Sequence, residues 1–91
     1  MTACTVGISN PLGLHARAAA RFVHAASAYS SHIRVRCGSR EMDGKSIMGL
    51  LLLAAAHGAT ITITADGPDE ADAIAALRTL VERGFEDASC A

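Results

Sequence analysis

Aromatic residues are scarce in this sequence: they make up 3% of its 91 residues, and tryptophan is absent. Alanine, valine, isoleucine, leucine and methionine must therefore fill the interior, and a core of this kind favours close packing of helices against a sheet. A chain of this length buries only somewhat more than about 60% of its unfolded surface. We expect one domain over residues 1–91. The tail from Phe85 to Ala91 should be weakly ordered, and residues 86–91 should form a loose end.

Cysteine is also rare, and no two cysteines have the spacing of a metal site. Cys4, Cys37 and Cys90 are odd in number and form no CxxC pair. This pattern argues against a disulfide scaffold or a zinc site and favours a reducing compartment, so we expect a cytoplasmic protein. A metal site built from histidines and these cysteines is the weakest alternative, because no ligand pair has a recognised spacing. We expect neither a metal nor a cofactor.

The chain has no long apolar run and no strong net charge. Its longest apolar stretch, residues 47–56, is interrupted by Gly49 and is shorter than the roughly 20 residues that cross a bilayer. The first residues do not resemble a signal peptide. The net charge of −1 gives no electrostatic case for nucleic acid. Residues 1–45 nevertheless hold six basic and two acidic residues, as an anion site or an acidic partner would require.

Hydrophobic periodicity predicts four strands and three helices in the order βαββαβα. The predicted strands are residues 4–8, 32–37, 40–43 and 60–65. The first predicted helix covers residues 16–28. The second has Ser46 as its N-cap and ends at about His57, with Gly58 as its left-handed cap. The third runs from Pro68 to Gly84, and its buried stripe consists of Ala71, Ile74, Leu77, Leu80 and Val81. Strands with one polar face indicate an antiparallel sheet that is open on one side. We therefore expect an α+β open-faced β-sandwich: a four-stranded antiparallel sheet with three helices on one face.

The stretch from Asn10 to Arg17 places a histidine where a helix begins. Pro11 and Gly13 make the turn after the first strand, His15 precedes the helix, and Arg17 follows two residues later. A helix start offers unpaired N–H groups and the positive end of a dipole, so an anion on His15 would be solvated by the backbone and by Arg17. Histidine can also act as a covalent nucleophile. The plainer interpretation is a histidine that merely precedes a helix.

The second predicted helix carries a possible interaction surface. Ser46 is a preferred N-cap residue, although Gly49 leaves no capping box. A short helix that is apolar all round must expose part of its surface, and exposed aliphatic patches mark binding surfaces. The residues concerned are Ile47, Met48, Leu51 and Leu52. Taken alone, such residues belong to the core more often than to an interface.

Two segments resemble the signatures of one family. Residues 13–19, Gly-Leu-His-Ala-Arg-Ala-Ala, resemble the active-site signature of the HPr family, the histidine-containing phosphocarriers of the bacterial phosphoenolpyruvate-dependent sugar phosphotransferase system. Residues 44–49, Gly-Lys-Ser-Ile-Met-Gly, resemble the second signature of that family. The separation of the two segments and the βαββαβα order also match, so the resemblance spans nearly the whole chain.

The resemblance implies a phosphoryl carrier rather than a stand-alone catalyst. His15 would accept a phosphoryl group on Nδ1 from Enzyme I, itself charged by phosphoenolpyruvate, and would pass it to a histidine of an A-component protein of a sugar permease. Arg17 would neutralise the phosphate. The family usually has proline after this arginine, whereas this chain has Ala18; we expect a small effect on pre-organisation.

The resemblance also implies regulation and docking around Ser46. An HPr kinase/phosphorylase would phosphorylate Ser46 with ATP, and the added charge would weaken partner docking. Arg21 and His24 would form a basic rim. The implied partner-binding residues are Ala16, Arg21, His24, Ile47, Met48, Gly49, Leu51 and Leu52. We expect a monomer that does not insert into a membrane.

Two other assignments remain open from the sequence. The first is the nitrogen-related branch of the same family, whose carrier regulates rather than feeds sugar uptake. The second is a protein-binding module in which the apolar residues after Ser46 do the work and His15 carries no phosphate. The sequence does not indicate which sugars or regulators lie downstream.

Overall fold

A computed structural model describes residues 1–85 as one antiparallel sheet and three helices. The strands are β1 (Thr2–Gly7), β2 (His32–Cys37), β3 (Arg40–Asp43) and β4 (Thr60–Asp66). The helices are α1 (Ala16–Ala26), α2 (Ile47–Leu53) and α3 (Glu70–Glu82). The strand order is β1-β4-β2-β3, so the last strand in sequence lies between the first two. The predicted βαββαβα order and α+β open-faced sandwich are confirmed.

The two faces of the sheet differ because side chains alternate along each strand. Ile33 and Val35 of β2, and Ile63 of β4, are completely buried. Arg34 lies between Ile33 and Val35, and Arg36 follows Val35; both arginines are exposed. The helices therefore cover one face, and the other face is open and polar.

Each helix adds a large apolar side chain to the core. Phe22 of α1, Leu50 of α2 and Leu77 of α3 are at most 1% exposed, and each contributes about 1.5–3 kcal/mol by leaving water. Ala18 and Ala19 are fully buried, so α1 lies close to the structure beneath it. The aromatic-poor core is thus built by close approach of helices, as the composition indicated.

The predicted end of α2 was wrong. The helix ends at Leu53, and Ala54 takes the left-handed conformation at φ 53° and ψ 35°. Gly58 is also left-handed at φ 88°, but it lies in the turn before β4, where its N–H donates to the Ile8 carbonyl at 2.9 Å. The helix therefore ends four residues before His57, the predicted end, although the three residues after Leu53 are alanines with high helix propensity.

The ends of the other two helices also differ from the prediction. The first helix ends at Ala26 rather than at residue 28. The third begins at Glu70, because Asp69 is its N-cap residue and Pro68 precedes it. In its buried stripe, Ala73 is fully buried, whereas Ala71 is exposed.

Phe85 is part of the core rather than of a loose tail. Its side chain is 2% exposed, and its N–H donates to the Leu80 carbonyl at 2.9 Å. The expectation of a loose end over residues 86–91 lies outside the described residues. Across residues 1–85, no helix is both long and apolar enough to cross a membrane.

Candidate functional site

The turn before His15 is closed by its own backbone and is attached to the segment after α2. Gly13 N–H donates to the Asn10 carbonyl at 3.1 Å, and Asn10 Nδ2 donates to the Gly13 carbonyl at 2.6 Å. Leu14 N–H donates to the Ala55 carbonyl at 2.8 Å. Gly13 has φ 65°, and a Cβ there would lie 2.6 Å from the same Ala55 oxygen. Only glycine therefore permits this approach, which fixes the turn beside the end of α2.

His15 is the N-cap residue of α1. Its backbone is extended, at φ −80° and ψ 178°, and its Nδ1 accepts a hydrogen bond from Arg17 N–H at 3.2 Å. Its carbonyl accepts the first helical bond from Ala19 N–H at 2.8 Å. Because Nδ1 is an acceptor here, the proton of the neutral ring is on Nε2. The Nδ1 lone pair is thus directed at the positive end of α1.

The surroundings of His15 suit an anion. A hollow of about 210 Å³ lies beside the ring, and the first turn of α1 contains no acidic residue. The unpaired N–H groups and the dipole of a helix start favour negative charge. The hollow is lined by Leu12, His15, Arg17, Ala18, Arg21, Gly84 and Phe85.

The two residues predicted to form a basic rim lie in different environments. Arg21 is half-buried in the hollow, and its Nη1 donates to the Phe85 carbonyl at 2.8 Å. His24, in the last turn of α1, is exposed. The bond to Phe85 spans 64 residues of sequence, and no local pattern in the chain indicates it.

Ser46 caps α2 as the sequence predicted. Its Oγ accepts a hydrogen bond from Gly49 N–H at 3.0 Å. The neighbouring Lys45 reaches away from the cap, because its Nζ donates to the Tyr29 carbonyl at 2.7 Å. Ser46 is half-buried, so its hydroxyl lies at the edge of the surface that α2 exposes.

Four aliphatic side chains of α2 face solvent, and we call them the apolar patch: Ile47, Met48, Leu51 and Leu52, which are 44%, 66%, 36% and 52% exposed. The opposite side of the helix is buried through Leu50 and Leu53. Of the other predicted partner-binding residues, Ala16 is exposed and Gly49 is buried. The patch and the His15 turn are neighbours, because the segment after α2 holds both.

Arg40 supports the apolar patch from β3, a role that the sequence did not indicate. Its Nη1 donates to the Leu52 carbonyl at 2.8 Å. The last carbonyls of a helix lack intrahelical partners, and a cation near them is favourable. The last turn of α2 has no basic residue of its own, so the arginine comes from the neighbouring strand.

Other chemically reactive side chains are dispersed. In the described part of the chain, residues 1–85, no three histidine, cysteine or acidic side chains come together as a metal site would require. Cys4 and Cys37 are half-buried free thiols, and burial raises the pKa of the Cys4 thiol.

Comparison with known proteins matches this arrangement to one family. A family model described as the PTS HPr component phosphorylation site matches residues 2–83. The phosphocarrier protein HPr of Cupriavidus necator is 45% identical over 78 residues, which cover 86% of this chain and 88% of its own. That of Pseudomonas aeruginosa is 42% identical over 88 residues, covering 96% and 98%.

Solved structures agree. An HPr crystal structure from Thermoanaerobacter tengcongensis superposes with a TM-score of 0.91 at 43% identity, covering 96% of this chain and 99% of that one. An HPr dimer from the same organism gives a TM-score of 0.76 at 42% identity, covering 96% and 100%. Sequence and structure thus match over nearly the full length, and the chain belongs to the HPr family of phosphotransferase-system phosphocarriers.

Proposed function

We propose that His15 carries the phosphoryl group on Nδ1, accepts it from Enzyme I and passes it to A-component proteins of sugar permeases. The observation that supports this most directly is the hydrogen bond from Arg17 N–H to Nδ1. This bond leaves an unprotonated, nucleophilic nitrogen at the start of a helix, where an attached anion would be stabilised.

The transfer step needs few groups. Arg17 N–H first releases Nδ1, whose lone pair then attacks the phosphorus of the donor. The new N–P bond forms as the bond from phosphorus to the donor breaks, with its electron pair leaving on the donor. Nε2 keeps its proton during the attack. Arg17 N–H then donates to a phosphoryl oxygen, and the Arg17 guanidinium offsets the added charge. Phosphoryl transfer depends mainly on positioning and charge stabilisation, and the reverse sequence delivers the group to the acceptor.

We assign partner docking to the apolar patch together with exposed Ala16 and His24, in a cytoplasmic monomer. The patch supports this because a carrier must present one surface to several proteins in turn, and flexible methionine suits such a surface. The nitrogen-related branch would share the His15 chemistry and differ in what lies downstream. The Ser-Ile-Met-Gly sequence after Lys45 favours the sugar branch, since it resembles the kinase-regulated members.

Labelling tests the carrier assignment. We expect purified Enzyme I and radiolabelled phosphoenolpyruvate to give the protein an acid-labile, base-stable label. His15→Ala should abolish the label, because none of the other three histidines, His24, His32 and His57, precedes a helix. His24→Ala is the matched control and should label normally, since this exposed histidine lies near the opposite end of α1. If the wild-type protein takes no label, the carrier function is excluded and the remaining assignment is a binding module in which His15 carries no phosphate. A label that persists in His15→Ala would refute the assignment to Nδ1.

Ser46 is our proposed regulatory site, phosphorylated by an HPr kinase/phosphorylase. Its hydroxyl lies at the N-terminus of α2, directly before the apolar patch. A phosphoryl group there is compatible with the helix dipole, so the helix would persist. The added charge would instead make the patch harder to desolvate against Enzyme I.

Two substitutions separate charge from capping at this position. Ser46→Asp keeps a good N-cap and adds a charge, so we expect slower labelling by Enzyme I at nearly unchanged stability. Ser46→Ala removes the cap at a cost of about 1 kcal/mol and should label at close to the wild-type rate. Wild type, but not Ser46→Ala, should gain an acid-stable label from ATP and the kinase. No phosphoserine, when a control substrate is labelled in parallel, would contradict the regulatory role.

A further inference from the structure

The hollow beside His15 contains a second arginine that the transfer step described above does not use. Arg21 lies four residues after Arg17, which places it one turn further along the same side of α1, and both line the hollow. Arg17 is exposed, whereas Arg21 is half-buried and bonded to the Phe85 carbonyl at 2.8 Å. One arginine therefore reaches the site from solvent, and the other is held in it by the fold.

The end of α3 holds Arg21 in place. Gly84 and Phe85 are both left-handed, at φ 68° and 65°. Gly84 N–H donates to the Val81 carbonyl and Phe85 N–H donates to the Leu80 carbonyl, each at 2.9 Å. This pair of bonds is the Schellman motif, which ends many helices. The Phe85 side chain is almost fully buried, so its carbonyl is anchored to the core. That carbonyl is consequently a fixed acceptor for the guanidinium.

Among its contacts with residues 1–85, the Arg21 guanidinium has donors left for a second ligand. The bond to Phe85 uses one of the five N–H donors of the guanidinium, and no carboxylate within residues 1–85 forms an ion pair with Arg21. The hollow has a volume of about 210 Å³ and is partly open to solvent. Phosphoryl oxygens on His15 can therefore occupy it. A guanidinium that is already held in place loses less conformational freedom when it binds an anion.

We propose that Arg21 is a second phosphoryl-binding residue. When His15 carries its phosphoryl group, the remaining Arg21 donors bond a peripheral phosphoryl oxygen inside the hollow while Nη1 stays on the Phe85 carbonyl. This inference rests on the proposed function, and it replaces the docking-rim role expected from the sequence. Because the contact exists only in the phosphorylated state, Arg21 shifts the equilibrium between the phosphorylated and free proteins.

The phosphotransfer equilibrium with Enzyme I tests this. The ratio of phosphorylated to free protein is measured after incubation with Enzyme I, labelled phosphoenolpyruvate and pyruvate. Arg21→Gln should lower this ratio about two- to fivefold, the range expected for a partly exposed charge pair. Arg36→Gln is the matched control, since it removes the same charge from the open face of the sheet, and it should leave the ratio unchanged. A docking role cannot change an equilibrium constant between free proteins.

Arg21→Lys keeps the charge and a donor for Phe85 but lacks the planar fork, so its ratio should fall between those of wild type and Arg21→Gln. This variant also keeps the test valid if Arg21→Gln does not fold, which circular dichroism would show. A wild-type ratio in both Arg21 variants overturns the proposal and leaves Arg21 only its structural bond. An equal fall in Arg36→Gln also overturns it, because net charge would then be the cause. An unlabelled wild-type protein would instead refute the proposed function itself.

Discussion

At the scale of single residues, Ala54 is under local strain that bears on the site. It ends α2 in the left-handed conformation at φ 53°, which costs a non-glycine residue about 1–2 kcal/mol. Its side chain is exposed, so no buried contact compensates. The next residue, Ala55, accepts the hydrogen bond from Leu14 N–H. The strained residue therefore joins the apolar patch to the His15 turn.

Ala54→Gly should stabilise the protein by about 0.5–1 kcal/mol, because glycine relieves the left-handed strain and loses only part of that gain to the unfolded chain. Urea unfolding measures the change. Ala56→Gly is the matched control: Ala56 is exposed and has no positive φ, so this change should destabilise by a similar amount. Destabilisation by Ala54→Gly would show that the turn needs the methyl group.

Residues that cap helices were predictable, whereas residues that act across the fold were not. His15 and Ser46 each precede a helix-forming run, and N-cap preference is a local property. The hydrogen bond from Arg21 to the Phe85 carbonyl was not predicted, because the two residues lie 64 positions apart in the sequence. Sequence patterns do not encode contacts of that range.

At the scale of secondary-structure elements, one carboxylate joins the start of β2 to the start of α3. Asp69 accepts hydrogen bonds from the Ser31 hydroxyl and from Ser30 and Ser31 N–H, each at 2.9 Å. The Ser31 hydroxyl, followed by Ser30 N–H, lowers the pKa of Asp69 from 3.8 to about 2. The Asp69 side chain makes no capping bond to α3 itself.

The lowered pKa of Asp69 predicts acid sensitivity. A carboxylate whose pKa falls on folding stabilises the native state above its unfolded pKa, and this contribution disappears as the pH falls through the folded pKa. Thermal melts of wild type should therefore show a loss of stability between about pH 4 and 2. Asp69→Asn should be less stable at neutral pH and should lose less across that window. Some loss should remain, because hydrogen bonds from the Thr2 hydroxyl and then from the N-terminal ammonium also lower the pKa of Glu70 to about 2. Identical pH profiles for the two proteins would contradict the assigned link.

At the scale of the whole molecule, the groups of the proposed site are gathered on the helical side and leave the sheet face open. The sheet face carries threonines of β4 and arginines of β2, whereas the apolar patch and the His15 turn adjoin one another. The antiparallel sheet with one polar face followed from period-2 patterns. The hollow beside His15 did not, because it needs the end of α3 to return to α1, and the sequence indicated a loose tail at Phe85.

This asymmetry predicts where substitutions affect transfer. Met48→Ser should raise the KM for this protein in labelling by Enzyme I about fivefold or more, since truncating an interface anchor costs about 1 kcal/mol or more. Its stability should change by less than about 0.5 kcal/mol, because Met48 is 66% exposed. Thr64→Ser, on the open face, should leave KM unchanged. A normal KM for Met48→Ser would remove this residue from the docking surface.

The hydrogen bond that caps α1 at His15 has a consequence for the energetics of the proposed relay. Every contact that stabilises the phosphorylated form also lowers the free energy released when the group moves on, so it lowers the group-transfer potential of the carrier. The Nδ1 cap is one hydrogen bond of 3.2 Å, next to an arginine that solvent can reach. A helix start that held phosphate more tightly would make a better acceptor and a poorer donor by the same factor, about tenfold for each 1.4 kcal/mol. In the proposed transfer step, Arg17 N–H exchanges Nδ1 for a phosphoryl oxygen, so one hydrogen bond is present in each form and both directions of transfer stay accessible.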